Sequence, residues 1–405
     1  MPSPSRRDAI SRLDARPQVG YCTNVHAGTD LSTIKSRLEE FAVPIARRLP
    51  REEQLGVGLW LPYSAACELD VGEHARDFGQ WLHERQLFPF TVNGFPFDNF
   101  HLPIVKHRVY MPTWADASRL DYTLKLARLL AVLQAVGEGE QLYPSTASIS
   151  TLPIGWPTGD TAQQKIEAGK NFRKAADELQ RLEEQTGKRV MVAIEPEPGC
   201  IFDRCEQVVE FFESELAGVN HRRYMGVCHD ICHSAVMFED QADALAKYRV
   251  ANICVGKVQV SSAIDVPLAK MDATEREAAV TQLSQFAEDR YLHQTGCIDE
   301  QGRFRLVEDL PLWLASDRKA QDQHLRIHFH VPIFLESFGH LRTTRDDILR
   351  CVDVMNSADA PEFTGHWEVE TYAWSVMPAE MRASGLGNDI ASELDWFHQR
   401  IDLND

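Results

Sequence analysis

Three short stretches in the second half of the chain decide the predicted fold. They are VMVAIEPE at residues 190–197, GVCHDICH at residues 226–233 and HWEVE at residues 366–370. In each stretch, apolar residues are followed by residues with carboxylate or imidazole side chains. A buried strand that ends in such groups places them at the rim of a sheet, where a metal ion or a substrate can compensate for their desolvation. The pattern therefore predicts parallel strands that open onto a polar site.

Strand and helix signals alternate along the whole chain, at a spacing of roughly 35 to 45 residues. The predicted strands lie at residues 19–24, 55–61, 88–94, 147–152, 190–195, 224–229, 253–261 and 367–372. This number of units favours closure into a (β/α)8 TIM barrel. A doubly wound open sheet is the alternative, but no G-x-G-x-x-G motif follows a strand to support its dinucleotide-binding form.

One strand candidate exceeds the eight that a barrel needs. It is LRIHFHV at residues 325–331, which follows a hairpin-like segment. We therefore predict a single domain over residues 1–405, with an inserted β-hairpin and strand at about residues 291–335, between strands seven and eight. The alternative places residues 325–331 in the barrel wall and removes one of the other strands.

Composition limits the classes of partner. The formal net charge is −18 and the basic residues are spread thinly, so the molecule should repel phosphate backbones, and nucleic acid is not an expected partner. The sequence has no signal peptide and no apolar run long enough to span a bilayer, which predicts a cytoplasmic protein without membrane insertion. The nine cysteines form no regular framework and are expected to be reduced, buried thiols.

Strand periodicity indicates which polar side chains face the barrel interior. Lys257 and Gln259 share one face of strand seven, and Glu368 and Glu370 share one face of strand eight. Carboxylate oxygen and imidazole nitrogen are ligands that Mg²⁺, Mn²⁺, Co²⁺ or Zn²⁺ accept, so these strand ends predict a divalent metal site. Further pocket candidates at the ends of the early strands are Asn24, His26, Asn93 and His101.

At these residues the chain resembles the sugar isomerase and epimerase branch of the xylose isomerase-like TIM barrels. The similar segments are AIEP at residues 193–196, the D-x-x-H of GVCHDICH, and VETY at residues 369–372. The resemblance implies that Glu195, Asp230 and Glu370 bind one divalent metal ion. It also implies that His233 contacts the substrate, and Lys257 on the inward face is a further substrate-binding candidate.

The seventh strand departs from this pattern. Gln259 stands where the superfamily normally has a histidine, and an amide oxygen is a weaker ligand than imidazole. Either Gln259 completes the metal site with weaker binding, or His330 supplies the nitrogen.

The chain as a whole resembles the EboE family, known as metabolite traffic proteins. The similar segments are GYCTNVH (20–26), VNGFP (92–96), ISTLP (149–153), EPEPGC (195–200), CHD (228–230), FHVP (329–332) and EVETY (368–372). The resemblance implies a bacterial gene cluster that handles or exports a secondary-metabolite precursor, with partners encoded in that cluster. It implies no defined reaction.

The leading functional hypothesis is a metal-dependent isomerase or epimerase that acts on a small hydroxycarbonyl metabolite. Glu195 or Glu370 would then be the catalytic base that removes a proton from carbon. The alternative is a non-catalytic protein that keeps the barrel pocket to bind or carry a metabolite. Metal-dependent cleavage of phosphodiesters is disfavoured by the negative charge.

Overall fold

Eight parallel strands close into a barrel at the centre of the molecule. The computed structural model of the protein describes residues 17–50, 53–136 and 146–401. In chain order the strands are β1 (Gln18–Cys22), β2 (Leu55–Leu59), β3 (Leu87–Asn93), β4 (Thr146–Thr151), β5 (Arg189–Ile194), β6 (Met225–Asp230), β7 (Val255–Val260), β8 (Ile264–Val266), β9 (Thr295–Asp299), β10 (Phe304–Val307), β11 (Asp322–Ile327), β12 (Ser337–Phe338), β13 (Leu341–Thr343) and β14 (His366–Val369). The barrel order is β1 to β7 followed by β14, which pairs with β1. The predicted TIM barrel is confirmed, and closure of the ring excludes the open sheet.

Helices surround the barrel and pack on the inserted segment that follows β7, and local sequence sets several of their ends. In chain order they are α1 (Leu31–Ala46), α2 (Tyr63–Leu69), α3 (His74–His83), α4 (Ala117–Ala135), α5 (Thr161–Thr186), α6 (Cys205–Glu215), α7 (Val219–Tyr224), α8 (Ile231–Val236), α9 (Gln241–Val250), α10 (Ala273–Leu283), α11 (Leu310–Ala315), α12 (Arg345–Met355) and α13 (Leu386–Ile401). Asp30 accepts a hydrogen bond from the backbone nitrogen of Thr33 at 2.9 Å and so begins α1. Helix α5 ends at Gly187, whose φ of 72° is a left-handed conformation that glycine adopts readily. None of the helices described is long and apolar enough to cross a lipid bilayer.

A second, antiparallel sheet lies between β7 and β14 in the chain. Its strand order is β10-β9-β11-β8-β13-β12. Strand β11 pairs with β8 and β9 in this sheet, so the predicted ninth strand belongs to an insertion and not to the barrel wall. The sheet runs from Ile264 to Thr343 and therefore extends beyond the predicted span of about 291–335 on both sides. Strands β8 and β13, which lie outside the predicted span, contain only three residues each, too few to show a periodic signal in the sequence.

The interior of the barrel contains a buried ion pair. The Nζ atom of Lys257 lies 2.5 Å from Oε2 of Glu368, and both side chains are fully buried. Lys257 also donates a hydrogen bond to Oγ of Ser150 at 3.2 Å. Gly58 makes room for the carboxylate, since a Cβ atom at this position would lie 1.3 Å from Oε1 of Glu368. The pair therefore occupies a fixed place inside the barrel, with Lys257 three residues before the end of β7 and Glu368 one residue before the end of β14.

We expect the Lys257→Met substitution to destabilise the protein by about 3 to 5 kcal/mol, because it leaves the charge of Glu368 buried and unpaired. The double variant Lys257→Met/Glu368→Gln should recover much of this loss, since both charges are then removed. Denaturant unfolding followed by circular dichroism measures both effects.

The matched control is Lys247→Met, because Lys247 pairs with Glu206 at the exposed surface. This variant should change the free energy of unfolding by less than about 1 kcal/mol. An unchanged unfolding midpoint in Lys257→Met, or a double variant no more stable than the single one, would contradict the structural role of the buried pair.

Candidate metal and substrate site

Three carboxyl groups meet at the carboxyl ends of the barrel strands. Glu195 directly follows β5, Asp230 is the last residue of β6, and Glu370 directly follows β14. One oxygen atom from each lies within 4.8 Å of the others, and all three side chains are buried. The structure thus brings together the three residues that the resemblance implies as metal ligands.

The turn from β6 into α8 fixes the orientation of Asp230. Its Oδ1 atom accepts hydrogen bonds from the backbone nitrogen of His233 and from Oγ of Ser261, both at 2.8 Å. Asp230 is therefore the N-cap of α8 and holds His233 in the first helical turn. Because Oδ1 is occupied, Oδ2 is left facing the site, and it has no hydrogen-bond partner among the described residues.

Two asparagines at the ends of the early strands hold Glu370. Asn24 and Asn93 donate their Nδ2 groups to Oε1 of Glu370 at 2.7 and 2.8 Å. Both were predicted as substrate-binding residues, and both line the same cavity as Glu370. Their observed contacts orient a carboxylate, while a direct contact with substrate stays a prediction.

An imidazole from the second sheet reaches the same place. His330 follows β11, and its Nδ1 atom donates a hydrogen bond to the backbone oxygen of Glu370 at 2.9 Å. Its Nε2 atom lies 3.8 Å from Oδ2 of Asp230 and lacks a hydrogen-bond partner within the described part of the chain. The geometry favours His330 as the nitrogen donor. Gln259 is fully buried in β7, and neither polar atom of its side chain is hydrogen-bonded to a described residue, so its role as a ligand stays a prediction.

Burial and like charge govern the titration of this cluster. Desolvation, followed by the charges of Glu370 and Asp230, raises the pKa of Glu195 well above its ordinary value. Desolvation and the neighbouring Asp230 raise the pKa of Glu370 in the same way. Burial lowers the pKa of His330 to about 4, which leaves its imidazole neutral with a free lone pair at Nε2.

The donor set fits a divalent cation. The atoms without hydrogen-bond partners among the described residues include Oε2 of Glu195, Oδ2 of Asp230 and Nε2 of His330. Buried polar atoms normally have partners, so three such atoms close together make this cluster a candidate site for a cation. Three carboxylates with one imidazole are suited to Mn²⁺, Co²⁺ or Zn²⁺ and leave room for substrate oxygens.

The cluster forms the polar floor of a cavity with aromatic walls. The cavity offers about 60 Å³ to the centres of water-sized molecules, which is enough for a few waters or a small ligand. Phe95, Phe100, Tyr110, Tyr291 and Tyr372 contribute to its walls. A small polar molecule with an apolar edge suits this lining.

Other predicted site residues lie outside the cavity lining. The buried ring of His26 packs 4.9 Å from that of Phe41, and His101 contacts the backbone oxygen of Asn24 through Nε2 at 2.8 Å. Lys257 is bound to Glu368 inside the barrel. For these three residues a substrate contact stays a prediction, and the observed contacts are structural. His233 does line the cavity.

Several cavity residues were not among the predicted site residues. Glu197 and His328 each stand two residues from a predicted ligand, Glu195 and His330, so strand alternation indicates that they can face the same cavity. Tyr110 donates to Oε1 of Glu197 at 2.9 Å but lies at the end of a short 3₁₀ helix, Lys106–Tyr110, too short to show periodicity, so no sequence pattern indicated it.

No protein-family model matches the sequence, and no curated protein matches it. Solved structures with a similar overall course exist at low sequence identity. The probable 3-DHS dehydratase AsbF involved in petrobactin synthesis from Bacillus anthracis is 13% identical, with 94% of this chain and 98% of that chain covered and a TM-score of 0.44. The IolI protein with a binding zinc atom is 11% identical (96% and 99% covered, TM-score 0.47), and a D-tagatose 3-epimerase-like protein is 9% identical (96% and 98% covered, TM-score 0.48).

These likenesses assign neither an activity nor a ligand to this chain. Its class is defined by its own geometry, a (β/α)8 barrel with a buried carboxylate and imidazole cluster at the mouth. The resemblance to the EboE family, and with it the gene-cluster partners, stays a prediction.

The C-terminal helix supports the mouth of the barrel through one buried glutamate. Oε1 of Glu393 accepts hydrogen bonds from the backbone nitrogen of Ile333 at 3.1 Å and from Oγ1 of Thr371 at 2.7 Å. These contacts join α13 to the segments that carry His330 and Glu370. Burial raises the pKa of Glu393 from an ordinary value of 4.5 to about 7.

A raised pKa predicts the sign of a pH effect on stability. Below pH 4.5 Glu393 is neutral in the folded and in the unfolded protein. Between pH 4.5 and 7 it ionises only in the unfolded chain, so the contribution of Glu393 to stability is lost as pH rises. The free energy of unfolding of Glu393→Gln, relative to that of the wild type, should therefore rise by about 2 to 3 kcal/mol from pH 5 to pH 8. Unfolding free energies of both metal-free proteins measure the difference.

Glu183→Gln is the control. Hydrogen bonds from Arg223 and Tyr224 lower the pKa of Glu183 despite some desolvation, so this group is ionised in both states over the whole range. The difference in the free energy of unfolding between Glu183→Gln and the wild type should stay constant between pH 5 and 8. If the difference for Glu393→Gln is constant as well, the raised pKa of Glu393 is refuted.

Proposed function

We propose that the protein is a divalent-metal-dependent isomerase or epimerase acting on a small hydroxycarbonyl metabolite. The observation that carries this proposal is the convergence of unpaired buried donors from Glu195, Asp230 and His330, beside Glu370, at the floor of a cavity. Desolvated carboxylates cost free energy in the metal-free protein, and a bound cation removes that cost. A cation held there would supply a Lewis acid for the hydroxyl and carbonyl oxygens of a substrate.

The chain's own residues would move the proton. The carboxylate of Glu195 has two oxygen atoms, so it would hold the cation through Oε2, which has no hydrogen-bond partner in the described structure, and accept a proton from a substrate carbon through Oε1. Glu370 is held through Oε1 by Asn24 and Asn93, which leaves Oε2 to return the proton at a neighbouring position or at the opposite face. Two carboxyl groups of unlike hydrogen bonding therefore have the complementary roles that isomerisation or epimerisation requires.

The walls would exclude water from the reacting carbon. The rings of Phe100, Tyr291 and Tyr372 pack against one another with centroid distances between 4.8 and 5.4 Å. An apolar wall strengthens the electrostatic contacts at the polar floor because it lowers the local dielectric. It also limits the ligand to a molecule small enough to fit beneath the rings.

Removal of a donor should remove the cation. We expect Glu195→Gln, Asp230→Asn and Glu370→Gln each to bind one divalent ion fewer per chain than the wild type, because all three groups hold the same ion. Elemental analysis after dialysis and calorimetric titration with Mn²⁺ measure this loss. Glu183→Gln, altered at a remote surface, should keep the wild-type metal content. Normal binding in any of the three variants would remove that residue from the proposed set.

The isomerase activity predicts exchange of a carbon-bound proton. In D₂O the wild type with Mn²⁺ should label a substrate from a panel of ketoses, aldoses and hydroxy acids, and mass spectrometry detects the label. Glu195→Gln should lower the exchange rate by about 10² to 10⁴. A metal-loaded wild type that binds a panel member without exchange would support the alternative of a binding or carrier protein and refute the enzymatic proposal.

A further inference from the structure

A second group of metal-type donors lies beside the first. Glu197, His233 and His328 each place one donor atom within 4.8 Å of the others, and all three side chains are buried. They come from the loop after β5, the first turn of α8 and the chain just beyond β11. Neither Glu197 nor His328 belongs to the donor set of the proposed isomerase.

Hydrogen bonds fix the tautomer of both imidazoles. Nδ1 of His233 lies 2.8 Å from the backbone oxygen of Pro196, which can only accept, so this nitrogen carries the hydrogen. Nδ1 of His328 lies 2.8 Å from Oε1 of Gln294. The Gln294 amide is oriented by its Nε2 group, which contacts three oxygen atoms. In the neutral state both imidazoles therefore have their lone pair at Nε2.

The two lone pairs face each other. Nε2 of His233 and Nε2 of His328 are 3.2 Å apart, and Oε2 of Glu197 lies 3.0 Å from Nε2 of His233. Nε2 of His328 also lies 3.4 Å from the hydroxyl oxygen of Tyr372, a long contact that leaves His233 and Glu197 without a compensating charge. Electron-rich atoms at these distances repel one another unless a positive charge lies among them. A single proton on His233 can bridge to only one of its two neighbours, whereas a cation between the three contacts all of them.

The distances match the coordination sphere of zinc. Bonds of about 2.0 to 2.1 Å at tetrahedral angles put two ligand atoms about 3.3 Å apart. The second oxygen of Glu197 is already occupied, because Oε1 accepts from Tyr110 at 2.9 Å and from Gln294 at 3.0 Å. Outer partners of this kind fix the orientation of metal ligands.

We propose that Glu197, His233 and His328 form a second divalent-cation site, separate from the site of Glu195, Asp230 and Glu370. Two imidazoles and one carboxylate select a borderline transition metal such as Zn²⁺ over Mg²⁺. Nε2 of His233 lies 3.8 Å from Oδ2 of Asp230, so the two cation sites are neighbours on one cavity floor. A substrate in this cavity can contact both.

The test is the metal stoichiometry of the full chain, reconstituted with Zn²⁺ alone and analysed by elemental analysis. We expect two zinc ions per wild-type chain, and one in His328→Ala. Glu197→Gln should lower the affinity for the second zinc ion by about tenfold or more, since even substitutions of residues that only contact metal ligands have effects of this size. Glu195→Gln should lose the first ion and keep the second, and zinc X-ray absorption of that variant should show two imidazole nitrogens.

His324→Ala is the matched control. His324 lies in β11, the strand that directly precedes His328, but its side chain contacts Asp265. It should keep two ions. Circular dichroism of the metal-free proteins establishes folding, and Glu197→Gln keeps the test open if His328→Ala does not fold. A wild type with one zinc ion that both His328→Ala and Glu197→Gln keep, or with two ions that both variants keep, would overturn the proposal. A wild type with one zinc ion that His328→Ala loses and Glu195→Gln keeps would instead overturn the proposed function.

Discussion

The burial of several like-charged carboxyl groups at one end of the barrel is the constraint on which the site depends. Two unit charges 4 Å apart repel by about 4 kcal/mol at an effective dielectric constant of 20. Hydrogen bonds from Asn24, Asn93 and Ser261 satisfy only some of the oxygens, and others remain without partners among the described residues. The strand ends that carry these carboxyl groups are buried, and these hydrogen bonds hold the groups close together. A cation bound among them would replace this repulsion by attraction.

The inserted sheet completes the site that the barrel begins. Side chains alternate beyond the end of β11, so that His328 and His330 point to the cavity while Phe329 packs into a second core, 5.0 Å from Phe286 between ring centroids. Strand β7 offers only the amide of Gln259 at the equivalent place. The insertion therefore supplies the nitrogen donors that the barrel wall lacks, and its antiparallel pairing with β8 fixes their depth.

Sequence patterns predicted the barrel because its strands are continuous apolar runs with polar ends. Predicted boundaries differ by one to a few residues, since strands such as β14 end in hydrogen-bonded turns, which apolar periodicity does not reveal. The clustering of Glu195, Asp230 and Glu370 was accessible to prediction because each directly terminates a strand. The choice between Gln259 and His330 was not, because it depends on where a distant loop folds back. The Lys257 to Glu368 pair likewise required the register of β7 against β14, which only the closed barrel provides.

Charge balance links the ion pair in the barrel to the metal sites above it. The ammonium of Lys257 lowers the pKa values of Glu195 and Glu370, but burial and the neighbouring carboxylates raise them by more. One fixed cation is therefore insufficient for the acids around it. The buried carboxyl groups along this axis are Glu195, Glu197, Asp230, Glu368 and Glu370. When all five are ionised, the one ammonium leaves a formal deficit of four positive charges. One divalent cation at the proposed site of Glu195, Asp230 and Glu370 would supply half of this charge, and a second at Glu197, His233 and His328 would supply the rest.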